Sequence, residues 1–288
     1  MKKAFLKLHI SVLLAGMTGI FGKLITLNGL YLTWYRLCMA AVVFFIILLF
    51  LKKLPRVSVR DFLKIAGVGA LLGLHWIFFY SSIKASNVSI GVVCFSVTSL
   101  FTALLEPLFN RHRCSPKEIA IGLLTLAGIL CIFQFDTRYR VGVVLGIISS
   151  LLVAMFTILN KKVGERHSSS TLLLYEMTGG AATLTLIALS YSLLFPAQRM
   201  AATPADLIYL LLLATFCTVL LCLLQIEALQ KISAFTVNLT YNLEPVYSIV
   251  LAMLLFGEAK ELNFSFYVGL ALIILSVALQ TMRVIRNR

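Results

Sequence analysis

The side chain best placed to do chemistry in this 288-residue chain is Glu244, which stands in the middle of a long apolar stretch. At helical spacing Tyr241 and Ser248 share its face, with Asn238 one turn further back. A carboxyl group in such surroundings is costly, so it binds a substrate charge or a proton, or a neighbouring helix satisfies it structurally. Pro245 removes a backbone donor and should loosen the turn near Tyr241. His75, Trp76, Phe79 and Tyr80 form a second cluster, polar and aromatic, suited to the opposite wall of a cavity. His75 titrates near neutral pH if it meets water and is otherwise a packed, satisfied imidazole. Gln225 and Thr218, with Cys222 between them, are read as cavity wall or as helix packing, and so are Ser96, Thr98 and Ser99.

Four further charges lie nearer the ends of apolar stretches: Arg36, Glu176, Glu106 beside Pro107, and Glu227. Each is a gate candidate by position, with interfacial solvation as the plainer account of Glu106 and Glu227. For Arg36 the expectation is snorkelling, the guanidinium reaching back to the interface, with a gate or an anion contact as the alternative. Lys23 should reach the outer interface in the same way.

These residues need scaffolding that only a membrane explains. Hydrophobic residues make up 60% of the chain and charged ones 12%, and the mean hydropathy is +1.00, far from a soluble domain. Cutting wherever charge, Pro or Asn clusters interrupt runs of about 20 apolar residues yields ten segments: 8–26, 31–51, 62–82, 88–109, 117–135, 141–161, 171–194, 205–228, 235–256 and 264–282. They are continuously apolar, which argues for helices over a barrel. The excess of 25 Lys and Arg over 11 Asp and Glu lies between the segments, so it orients helices; no nucleic-acid partner is expected. Placing the N-terminus in the cytoplasm puts most basic residues on that side, from Lys2, Lys3 and Lys7 to Arg283, Arg286 and Arg288, and brings the C-terminus there too. The six cysteines show no paired spacing and are read as small core residues.

An internal repeat organises the segments. Leu32–Ala41 falls on Leu172–Ala181, Ser82–Ser99 on Ala228–Pro245, and Gly122–Leu123 on Gly269–Leu270. Two units follow, 1–139 and 140–288. Five crossings per unit force the second to insert upside down, a design of secondary transporters with the solute site between the halves. The fold class expected is therefore an all-α polytopic membrane protein of ten transmembrane helices in two inverted five-helix repeats.

The run Trp34-Tyr35-Arg36, the Asn160-Lys161 pair, Leu243-Glu244-Pro245-Val246 and the continuation through Gly257-Glu258 to Gly269 resemble the EamA family of the drug/metabolite transporter superfamily in order and spacing. The first repeat departs from the second: Ser99 stands where the second has Pro245, and Arg111-His112 where it has Gly257-Glu258. The resemblance implies movement of metabolites or amino-acid-like solutes, commonly outward, across the cell membrane. No metal, cofactor or ATP-binding loop is expected, and the state is a monomer or a homodimer. A channel or sensor without alternating access is the alternative. An embedded enzyme finds no H-E-x-x-H, G-x-S-x-G or paired-His motif to rest on.

Overall fold

The structure, a computed structural model, describes residues 2–110, 115–133, 139–197, 200–257 and 264–286, and all the elements named below are helical. In chain order they are α1 (Lys2–Leu24), α2 (Gly29–Phe50), α3 (Val59–Ala85), α4 (Val88–Phe95), α5 (Thr98–Asn110), α6 (Pro116–Phe133), α7 (Arg140–Gly164), α8 (Ser169–Leu194), α9 (Pro204–Ala214), α10 (Leu221–Leu229), α11 (Ala234–Thr240), α12 (Glu244–Phe256) and α13 (Phe264–Arg286). Many start where a short polar side chain satisfies a free backbone donor: Asn28 for α2, Ser58 for α3, Asn87 for α4, Ser168 for α8 and Ser233 for α11. At α9 a full capping box joins Thr203 and Asp206. Gly257, in the left-handed conformation at φ 68°, closes α12.

Two of the expected continuous spans are broken. Segment 88–109 is α4 and α5, separated at Ser96–Val97, and segment 235–256 is α11 and α12, joined by a tight turn at Tyr241–Leu243. Pro245 in the first turn of α12 accounts for the second break, because it offers no N–H to the preceding turn. In the first, the hydroxyls of Thr98 and Ser99 bond the carbonyls of Phe95 and Ser96, taking up acceptors that a continuous helix would use. The second half-helices begin at Thr98 and Glu244, 146 residues apart. The pairs also cross: α4 packs on α12, and α11 on α5. A third span, Pro204–Leu229, stays continuous, but Thr215–Leu220 takes the wider π-helical turn between α9 and α10.

Eight helical stretches among the described residues are long and apolar enough to cross a membrane. The fifth and tenth expected crossings correspond to α6 and α13, which lie outside those eight and pack on each other, with Thr125 and Ser276 sharing a hydroxyl hydrogen bond. The surface is the reverse of a soluble protein's. Leu49 and Phe50 of α2, Leu186 and Leu193 of α8, and Leu254 of α12 are exposed, whereas Arg36, Glu176, Asn238 and Glu244 are buried. Arg111, His112, Arg113, Cys114, Glu258 and Arg288 lie outside the described residues, as do the side chains of Lys2, Arg283 and Arg286.

At the centre, α3 packs on both α7 and α8. Its contact with α8 is close because both helices lack side chains there: a Cβ on Gly69 would lie 2.0 Å from the Glu176 carbonyl oxygen, and one on Gly179 would lie 2.3 Å from the Ala66 Cα. Gly179→Leu must therefore push the helices apart, and we expect a loss of about 3 kcal/mol or more, read as a fall in melting temperature and loss of monodisperse protein. Gly67, with nothing within 4 Å of its would-be Cβ, is the control. Gly67→Ala should be neutral or stabilising by up to ~1 kcal/mol from helix propensity.

Candidate functional site

A cavity of about 50 Å³ lies between the broken helices and α1, α2, α3, α7 and α10, with room for a few water molecules. Of the residues singled out from sequence, Arg36, His75, Trp76, Phe79, Cys222, Gln225, Tyr241 and Glu244 line it. The break at Tyr241–Leu243 places Glu244 at the start of α12 against this cavity. Its carboxyl makes no hydrogen bond or ion pair with any described side chain, although the residue is only 4% exposed.

Arg36 corrects the snorkelling expectation. It is 1% exposed and points inward. Its Nε donates to Thr218 Oγ1 at 2.7 Å, one terminal nitrogen to the Tyr80 hydroxyl at 2.7 Å, and the other to the Cys217 carbonyl at 2.6 Å. The guanidinium also lies over the Trp76 ring, 3.6 Å from its centroid. Both Cys217 and Thr218 belong to the π-helical turn, so the irregularity in the eighth span presents acceptors that hold a buried cation in place. With donors used on three nitrogens, one N–H remains on each terminal nitrogen.

His75 is fixed rather than free. Its Nδ1 meets the Ser149 hydroxyl at 2.8 Å and the Ser149 carbonyl at 3.0 Å, and the same hydroxyl donates to the His75 carbonyl. The ring stacks loosely with Phe79 and Phe95. Tyr241 donates to Ser11 on α1.

Other nominated residues lie away from the cavity. Asn238 donates to Thr102 and accepts from Thr157, and Ser99 accepts from Asn242; both therefore tie the crossed half-helices together. Ser248 donates to the Gly16 carbonyl. Glu176 is buried and bonded to Asn160, and Arg36 is not among its hydrogen-bond partners. Glu106 accepts from the Phe235 N–H at 3.1 Å and so binds α5 to the start of α11. Glu227 forms an ion pair with Lys7 of α1, and the Lys23 ammonium sits 4.4 Å from the Phe256 ring centroid. At the end of the bundle opposite Lys7, Asp206 accepts from the Thr26 N–H and hydroxyl at 2.7 and 2.8 Å, and Lys84 donates to the Ile25 carbonyl.

Sequence reasoning missed Thr18, Phe95 and Phe156 of the cavity lining. Phe95 carried a signal, as the last residue before a cluster of small hydroxylated residues; Thr18 and Phe156 carried none beyond membership of apolar segments. Among the described residues no three His, Cys, Asp or Glu side chains come together as a metal site.

Comparison with known proteins bears on what such a cavity does. A family model described as the EamA-like transporter family matches twice, over residues 2–134 and 140–282. An uncharacterized transporter of Archaeoglobus fulgidus is 24% identical over 269 residues, covering 90% of this chain and 91% of its own. One of Bacillus subtilis is 22% identical, covering 97% of this chain and 90% of its own. A further uncharacterized transporter, of Haemophilus influenzae, is 25% identical over 84% of this chain and 82% of its own. A solved crystal structure aligns with a TM-score of 0.73 at 16% identity, covering 98% of both chains, and so shares the fold.

Proposed function

The chain belongs to the EamA-like transporter family and is a multi-pass membrane transporter, and from that premise we infer that it carries small zwitterionic metabolites of the amino-acid kind by alternating access. The observation that carries the substrate class is a basic and an acidic side chain, Arg36 and Glu244, buried on the walls of one cavity and not bonded to each other. The two remaining N–H groups of Arg36 suit the fork of a carboxylate. The open carboxyl of Glu244 suits an ammonium group, or a proton exchanged for one. Phe79, Phe95 and Tyr241 supply apolar and aromatic surface for the rest of the solute.

A cavity of about 50 Å³ is too small for such a solute, so loading requires the walls to part. In our reading the moving bodies are units 1–139 and 140–288, inserted with opposite orientation, with ten crossings and both termini in the cytoplasm. The breaks 146 residues apart and the crossed packing of α4 on α12 and α5 on α11 support that symmetry. Contacts between these units close both ends of the bundle: Lys7 with Glu227 at one, Thr26 with Asp206 at the other. The Lys7–Glu227 pair is partly exposed, with side chains 42% and 33% accessible. It is therefore worth no more than about 1 kcal/mol, weak enough to open and reform in each cycle. Outward movement across the cell membrane is the direction that the family resemblance favours.

Thermal stability tests the substrate class. Zwitterionic amino acids should raise the melting temperature of the detergent-solubilised protein, by about 2.7 kcal/mol of stabilisation at a hundredfold excess over Kd. Amino-acid amides, which lack the carboxylate, and N-acetylated amino acids, which lack the ammonium, should stabilise it far less. Equal stabilisation by all three would overturn the assignment.

A further inference from the structure

We propose that Glu176 and Asn160 form a proton-binding site of this transporter, separate from the central cavity. The two side chains are 0% and 1% exposed. Asn160, on α7, donates its Nδ2 to Glu176 Oε1, on α8, at 2.7 Å. That bond turns the amide towards the carboxyl, yet the two remaining oxygens, Asn160 Oδ1 and Glu176 Oε2, are both buried and have no hydrogen-bond partner. Two acceptors without a donor, on groups already bonded to each other, are what one missing proton leaves behind. A proton on Oε2 converts that oxygen into a donor, Oδ1 is the acceptor left open, and acid and amide then pair through two hydrogen bonds.

The surroundings offer no other way to balance the carboxyl. Four elements, α2, α3, α7 and α10, pack on α8. From α2, Arg36 is committed to Thr218, Tyr80 and the Cys217 carbonyl. From α3, Lys64 pairs with Asp61 at the exposed start of the helix, and His75 is held by Ser149 of α7. From α7, Lys161 donates to the carbonyls of Leu229 and Ile232, and Lys162 follows it at the helix end. From α10, Cys222 presents a buried thiol and Glu227 pairs with Lys7. On α8 itself Tyr175 donates to the Pro55 carbonyl. No described Lys, Arg or His lies within ion-pair distance of Glu176, and an unpaired buried carboxylate costs several kcal/mol. Two oxygens are too few for a hard metal cation, which takes about six.

Infrared difference spectroscopy on the full-length protein at neutral pH tests the site without any solute, so its outcome is independent of the transport reading. The wild type should show a protonated-carboxyl C=O band that shifts in D2O, persists in Glu244→Gln and is lost in Glu176→Gln. Asn160→Leu, which keeps Glu176, should shift the band upward as its hydrogen bond to the amide disappears. This second variant decides the matter if Glu176→Gln does not fold. A band unchanged in Asn160→Leu would overturn the proposal. So would a carboxylate signal assigned to Glu176 at neutral pH, which would mean a bridging water, or a band that changes when Na⁺ replaces choline, which would mean a cation.

Discussion

Arg36→Lys should leave a folded protein that no longer transports. The guanidinium meets acceptors on two separate elements, Tyr80 on α3 and Thr218 with the Cys217 carbonyl on the π-helical turn, while lying flat on Trp76. A lysine ammonium is a point charge with three donors. It keeps the charge but cannot stack, cannot reach all three acceptors in one plane, and offers no fork to a carboxylate. Lost bonds of this kind cost about 1–3 kcal/mol in a membrane interior, where the unfolded reference state also finds partners. The protein should therefore stay monodisperse with a lowered melting temperature. The solute loses more: a bidentate, desolvated contact worth about 2–5 kcal/mol, or roughly 30-fold or more in affinity. Flux in proteoliposomes, compared with the amount of folded protein, checks this. Wild-type flux in Arg36→Lys would remove Arg36 from the solute site and leave it a structural cation.

Much of this architecture was legible in the chain because lipid constrains it so strongly. The apolar segments 8–26, 31–51, 62–82, 141–161, 171–194 and 205–228 correspond to continuous helical spans, since backbone groups in hydrocarbon must bond within their own segment. Glu244, His75, Trp76, Phe79 and Gln225 were picked out as isolated polar or aromatic residues, and the structure brings them round one cavity. What could not be read was irregular backbone. The π-helical turn at Thr215–Leu220 has no Pro or Gly to announce it, yet it supplies the acceptors that draw Arg36 inward. Without those acceptors snorkelling is the right expectation for an arginine, which is why the sequence argument failed there. Similarly, Asn238 and Ser99 are polar and deep, as a site residue would be, but their partners Thr102, Thr157 and Asn242 lie on other segments, and sequence spacing cannot reveal such pairings. Thr18 and Phe156 entered the cavity by tertiary placement alone.

Glu244→Gln should separate function from folding more cleanly than any other substitution. The native carboxyl bonds to no described side chain, so replacing one oxygen by an amide of the same shape removes no contact and leaves Pro245 and the turn at Tyr241–Leu243 in place. Folding and melting temperature should stay close to wild type, within the ~0.5 kcal/mol usual for a substitution that breaks no partner. The solute's ammonium group, however, would meet a neutral dipole in place of a charge while the Arg36 guanidinium remains opposite, so the cavity keeps its affinity for the carboxylate end and loses the other. We expect flux of a zwitterion to fall about 30-fold or more, the effect of about 2 kcal/mol or more at a buried charge. Binding of an N-acetylated analogue, which never engaged Glu244, should improve relative to wild type. That crossing of preferences is the informative outcome, because general damage to the protein would weaken both solutes alike. Parallel loss of both would mean that Glu244 supports the fold through its place at the head of α12, and the zwitterion assignment would then rest on Arg36 alone.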